Sequence, residues 1–152
     1  MAQNEKLLAG LQMIVTNLSQ QADGHMIQSR IFDSKGYGKL AERYEEHATE
    51  ERGYVQQCID RILDLGGEVK LEAKAAAPVC NDPIEWIKYD LQVSRDGLAT
   101  LKALVDLAKD DMTTYDILKD YYKDEEDDMY WDEQQLELVE EIGKQNWLTN
   151  QL

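Results

Sequence analysis

Glu68-Val-Lys-Leu-Glu-Ala-Lys-Ala-Ala-Ala-Pro-Val-Cys-Asn81 lies between two long helical patterns and decides how they connect. At about 3.3 Å per extended residue this link of 14 residues reaches roughly 46 Å, against about 40 Å for a helix of about 26 residues. It is long enough to cross a bundle from end to end. The helix that follows can then run parallel to the one before, an arrangement a short turn forbids. Punctuation on both sides agrees: Gly66-Gly67 offers the left-handed stop of a helix C-terminus, and Asp82-Pro83 reads as an N-cap followed by proline at the first helical position.

Working outward, Leu40, Tyr44, His47, Glu51, Tyr54, Cys58, Ile62 and Leu65 recur at helical spacing before the link. Leu7, Leu11, Ile14, Leu18, Ala22, His25, Ser29 and Phe32 do the same upstream, with Asn4 as an available N-cap and an end near Ser34 to Gly38. After the link, Ile87, Leu91, Ser94, Leu98, Leu101, Val105 and Ala108 mark a third helix. A short connection at Asp110 to Thr113 leads into a fourth, along Leu118, Tyr121, Glu125, Asp128, Asp132, Gln135, Val139 and Ile142, closed by Gly143. Short links force helices one and two, and three and four, to be antiparallel pairs. Gln145 to Leu152 makes only about two turns, so Trp147, Leu148 and Leu152 need a neighbour to pack against. The fold class is therefore all-α: a four-helix bundle of two hairpins joined by one long crossover, with a short fifth helix.

Composition fits one domain spanning 1–152, since 43% hydrophobic residues suffice for a core. Asp and Glu number 31 against 16 Lys and Arg, a net charge of −15 that repels phosphate backbones and anionic lipid. Nucleic acid and membrane are excluded as partners; cations are the natural ones. No apolar run approaches the roughly 20 residues of a membrane span, and Met1 to Gly10 lacks the layout of a secretory signal, so the chain reads as cytoplasmic. Cys58 and Cys80 form no CxxC pair and read as reduced thiols, Cys58 as core filler.

The seams carry carboxylates, and an unpaired carboxylate in an apolar bundle is expensive. Glu51 and Tyr54 stand at i and i+3 on helix two, and Glu125 and Asp128 repeat that spacing on helix four, aiming oxygen donors at one interior. A hard-oxygen site of this kind suits iron, manganese, magnesium or calcium. The alternative is that Glu51 and Asp128 meet Arg or Lys, or that helix four has a solvated acidic face. His25 reads as a hydrogen-bonded core histidine or as a nitrogen ligand to the same metal, and His47 lies one turn before Glu51.

Arg30-Ile-Phe32, Gly36, Ile59-Asp-Arg-Ile-Leu63, Lys123-Asp-Glu-Glu126, Trp131 and Ile142-Gly-Lys-Gln-Asn-Trp147 resemble bacterioferritin over nearly the whole chain. The resemblance implies a ferritin-like bundle that pairs into dimers and assembles into a homo-oligomeric cage, usually of twenty-four subunits, storing ferric mineral. It also implies a di-iron ferroxidase centre of Glu from helix one, Glu-x-x-His from helix two, Glu from helix three and Glu-x-x-His from helix four. Here those positions are Leu18, Glu51 with Tyr54, Ser94, and Glu125 with Asp128. Only Glu51 and Glu125 match fully, so enzyme activity is left open by the sequence. The position of the family's haem-binding methionine is Arg52, so haem is not expected.

With these substitutions, the resemblance implies an iron-storage cage subunit with an incomplete di-iron site and weak or absent ferroxidase activity. The metal set drawn from them is Glu51, Glu125, Asp128 and His25. The competing readings are an active ferroxidase with altered ligands, and a structural subunit that co-assembles with an intact bacterioferritin.

Overall fold

The computed structural model describes residues 2–152, the side chains of residues 2 and 3 excepted. It contains α1 (Ala2–Ser34), α2 (Gly38–Asp64), α3 (Pro83–Leu107), α4 (Met112–Ile142) and α5 (Lys144–Thr149). No strand occurs among the described residues, as the helical periodicities require. α1 packs chiefly on α2 and α3 on α4, and contacts of α1 with α3 and of α2 with α4 join the hairpins.

The crossover behaves as its length allows. Side chains at every turn or two of α1 hold it: Gln12 donates to the Lys70 carbonyl at 3.0 Å, Gln20 to the Ala75 carbonyl at 2.7 Å, and Gln28 to the Cys80 carbonyl at 2.8 Å. Contact positions rise together on both segments, so the link runs alongside α1 in the same direction and delivers α3 to the end where α2 began. From residue 12 to residue 28 helical rise covers about 24 Å, spanned by ten crossover residues. The link is thus extended but not taut. Gln28 is fully buried and also accepts from the Cys80 amide at 2.9 Å, clamping both backbone polar groups of that residue.

Local signals account for most boundaries. Asp82 accepts from the amides of Ile84 and Glu85 at 2.8 and 3.2 Å, capping α3, while Pro83 removes a donor the first turn cannot use. Asp111 caps α4 through the Thr114 amide at 3.1 Å, and Arg61 reaches Asp111 at 2.8 Å to tie the end of α2 to this corner. Gly66 and Gly143 take φ of 80° and 84°, a region a Cβ disfavours. One boundary differs: α1 begins at Ala2, so Asn4 lies inside the helix and is not its cap.

The tail also differs from expectation in part. Trp147 is 1% exposed and donates its indole N–H to Gln135 at 2.9 Å, so α5 finds its neighbour within its own bundle. Leu152 alone of the three apolar tail residues stays exposed. The core divides into two apolar clusters. One is centred on Leu11, Leu18, Cys58, Ile62, Leu101 and Leu118; the other on Phe32, Leu40, Tyr44, Ile87 and Trp147.

The clamp on the crossover gives a direct test. Gln28→Ala removes two hydrogen bonds and opens a gap beneath Cys80, and should cost about 1–3 kcal/mol in urea unfolding. An unchanged denaturation midpoint would show that the crossover is held without it.

Candidate functional site

A layer of polar and charged side chains lies between the two apolar clusters. α1 contributes His25, α2 Tyr44, His47 and Glu51, α3 Asp90 and Ser94, and α4 Glu125, Asp128 and Asp132. Only Asp128 among them is more than 9% exposed. Helical spacing puts them there. Tyr44, His47 and Glu51 share one face at three- and four-residue steps, as do Asp90 and Ser94, and Glu125, Asp128 and Asp132.

His25 is the hub. Its Nδ1 lies 2.5 Å from Glu51 Oε1 and its Nε2 3.0 Å from Asp90 Oδ1, so one ring joins α1 to both α2 and α3. Tyr44 stacks on the ring at 5.5 Å between centroids, and His47 and Trp86 meet it edge-on at 5.6 and 6.0 Å. Burial works to lower the His25 pKa, but the Asp90 and Glu51 carboxylates outweigh it and hold the imidazole well above its ordinary range. Burial raises the Glu51 carboxyl in spite of His25, so the pair holds its proton tightly.

Asp128 sits apart from this hub. It meets His47 Nε2 at 3.2 Å and the Arg43 guanidinium at 3.6 Å, while Arg43 also lies over the Trp131 ring at 3.6 Å. Glu125 is hydrogen-bonded to Ser94, yet burial, with help from Glu51 and Asp128, pushes its carboxyl up to about 8. Burial and the neighbouring Asp90 carboxylate push Asp132 up to about 9, against the opposing pull of Arg43.

The four residues expected as metal donors are therefore distributed over three local arrangements. His25 joins Glu51, Glu125 joins Ser94, and Asp128 joins His47 and Arg43. Among the described residues no three His, Cys, Asp or Glu side chains are gathered so as to hold a metal ion. Both nitrogens of His25 face carboxylate oxygens, which leaves no lone pair directed elsewhere. Asp128 meets Arg43, in line with the ion-pair alternative; Glu51 finds a histidine instead of Arg or Lys.

The other positions that the resemblance assigns to iron do not fit it. Leu18 is 1% exposed within the first apolar cluster, and Tyr54 packs on Tyr121 at 5.1 Å between centroids. Ser94 is a neutral hydroxyl engaged by Glu125. At the position of the haem methionine, Arg52 pairs with Asp23 on the surface.

Sequence reasoning missed Asp90 as a site residue, and gave Asp132 a seam position without a role. Asp90 lies one turn before Ser94, and Asp132 one turn after Asp128. An acidic residue at that step beside a marked seam was the available signal.

The raised Glu125 pKa has a stability consequence of definite sign. The folded state binds this proton more tightly than the unfolded chain, so stability is lost as pH rises from the ordinary value of 4.5 towards about 8, and the loss levels off above it. Glu125→Gln should therefore gain at least about 1 kcal/mol on the parent between pH 5 and 8.5 in urea unfolding. A difference independent of pH would show that Glu125 ionises as freely in the bundle as in water.

Comparison with known proteins bears on this fold and site together. The sequence matches the ferritin-like domain family over residues 8–142. It is 38% identical over 133 residues to a bacterial ferritin of Neisseria meningitidis serogroup B, covering 86% of each chain. A bacterial ferritin of Pseudomonas aeruginosa is 32% identical over 145 residues, covering 93% of this chain and 94% of that one. A bacterioferritin of Streptomyces coelicolor is 26% identical over 148 residues, 96% of this chain and 84% of its own. With the bundle and crossover described above, these matches show that the chain belongs to the ferritin-like family.

Proposed function

We propose that this chain is the subunit of an iron-storage cage whose own oxidation centre has been dismantled. The observation that carries the reading is Leu18, buried in an apolar cluster where the resemblance requires a carboxylate. Tyr54 and Ser94 support it, because neither offers the charge that an iron ion needs from its donors. Iron is the cargo. Glu51 and Glu125, with Asp128 and His25, are the interior donors through which it would pass or be held, after their present partners are displaced. With a net charge of −15, the subunit favours accumulation of cations around it.

Membership of the ferritin-like family supports assembly into a homo-oligomer built from dimers, with twenty-four subunits as the expected closure, in the cytoplasm. Arg52 gives haem iron no ligand in the family's manner. A second reading has a specific observation behind it: a subunit without its own oxidation centre would depend on an intact bacterioferritin subunit in a mixed cage. Mass analysis of cages isolated from the source separates it from the first. No described helix is long and apolar enough to cross a membrane.

Stopped-flow oxidation of iron(II) by the pure homopolymer should be slow, and joint replacement Leu18→Glu, Tyr54→His, Ser94→Glu and Asp128→His should raise the rate at least about tenfold. If the rebuilt protein folds and binds two irons per subunit but oxidises no faster than the parent, the missing ligands were not the limitation. Rapid oxidation by the unaltered chain would favour the altered-ligand ferroxidase instead. Light scattering of the same sample should show a large shell; a 17.5 kDa species at micromolar concentration would contradict the cage.

A further inference from the structure

Gly24 of α1 and Gly97 of α3 stand inside helices with no packing reason to be glycine. Neither takes a positive φ, and a Cβ at either would meet nothing within 4 Å. Glycine in a helix interior costs stability relative to alanine, so an unforced one calls for another explanation. Both line the same cavity, of about 260 Å³, between α1, α3 and the crossover. Small-molecule sites usually span about 300–1,000 Å³, so this one has room for a compact ligand.

The lining names the chemistry. Trp86 and Tyr89, with ring centroids 5.4 Å apart, stand on the α3 side, and Pro78 of the crossover adds an apolar surface. Trp86 is 4% exposed and its indole N–H has no hydrogen-bond partner, an expensive state for a buried donor. The charged groups are Lys74, His25 and Asp90. His25 and Asp90 pair with each other at 3.0 Å, whereas Lys74 enters no ion pair among the described residues. Gln20, also in the lining, holds the Ala75 carbonyl at 2.7 Å and so fixes the backbone beside Lys74. The groups left without partners, an indole N–H and an ammonium, are donors only, and their complement is an acceptor. We propose that this cavity binds a small aromatic carboxylate, its ring against Trp86, Tyr89 and Pro78 and its carboxylate on Lys74, with the indole N–H as a second donor.

The net charge of −15 does not forbid an anion here. At about 0.15 M salt, charges beyond about 8 Å are largely screened, and the one unopposed charge of this lining is positive. Three other cavities differ in that respect: Glu68, Lys70 and Glu72 line one, Asp96 and Glu125 a second, and Glu42, Glu45, Glu46 and Glu50 a third. Asp90 repels a second carboxylate, so the acid of the ligand faces the crossover and its ring the interior. The inference does not rest on the storage reading, since it needs neither iron nor the inside of a cage.

The experiment uses the whole assembled protein, titrated with benzoate at about pH 7 and about 0.15 M salt in a calorimeter, and should report about one saturable site per subunit. Lys74→Ala should weaken binding at least about threefold, and Lys74→Arg should restore it. Benzyl alcohol, which keeps the ring and drops the charge, should bind more weakly by a similar factor. Gly24→Leu, which puts a side chain into the open space, should abolish binding, whereas Lys102→Ala on the exposed side of α3 should leave it unchanged. Equal affinity for benzoate and benzyl alcohol, or full affinity in Lys74→Ala or Gly24→Leu, would overturn the site. Diffraction from a benzoate-soaked crystal showing the ligand only elsewhere would do so too. Lys74 lies on the exposed crossover, so its variants decide the matter even if Gly24→Leu fails to fold.

Discussion

His25 between Glu51 and Asp90 is the contact on which the rest of the bundle depends. A carboxylate buried without a partner is strongly disfavoured, and this bundle buries two of them against one imidazole. The ring satisfies both, and in doing so ties the first hairpin to the second at mid-height. Above and below it the chain can be apolar, and it is: the Leu18 cluster lies on one side and the Phe32 cluster on the other. Remove the ring and two negative charges would face each other across α2 and α3.

The layer lies at a different height in the bundle from the positions that the resemblance assigns to iron. Relative to Leu18, Glu51, Ser94 and Asp128, the charged hub is offset in one direction along the bundle. It lies two turns further along α1 at His25, one turn on along α4 at Asp132, one turn back along α3 at Asp90, and one or two turns back along α2 at His47 and Tyr44. Opposite chain directions make these shifts coincide in space. At the level of Leu18 and Tyr54 the interior is apolar, and both pack with Tyr121 in the first cluster.

Periodicity made the fold legible because each helix buries one stripe and each boundary carries its own punctuation. The crossover was readable from reach alone, and the Asp82-Pro83 cap from residue chemistry. The site was less legible. His25, Glu51, Glu125 and Asp128 lie on stripes and were found; which of them meet depends on helix rotation and axial offset, to which spacing within one helix is blind. Asp90 sits beside the Ile87, Leu91 and Ser94 seam, so the pattern left it out although it is 5% exposed. Trp147 was readable as apolar, but its burial under its own bundle depends on the turn at Gly143 and on Gln135, which meet only in the folded chain.

The interior of the bundle is stabilised by protein groups paired with one another, His25 with Glu51 and Asp90, and His47 and Arg43 with Asp128. His25 and Asp90 act as a coupled pair holding the two hairpins together. A double-mutant cycle with His25→Gln and Asp90→Asn, read by urea unfolding of the assembled protein at pH 7, measures that coupling directly. The account predicts an interaction energy above about 1.5 kcal/mol, as expected for a buried charge-assisted contact. Additive effects within about 0.5 kcal/mol would contradict it.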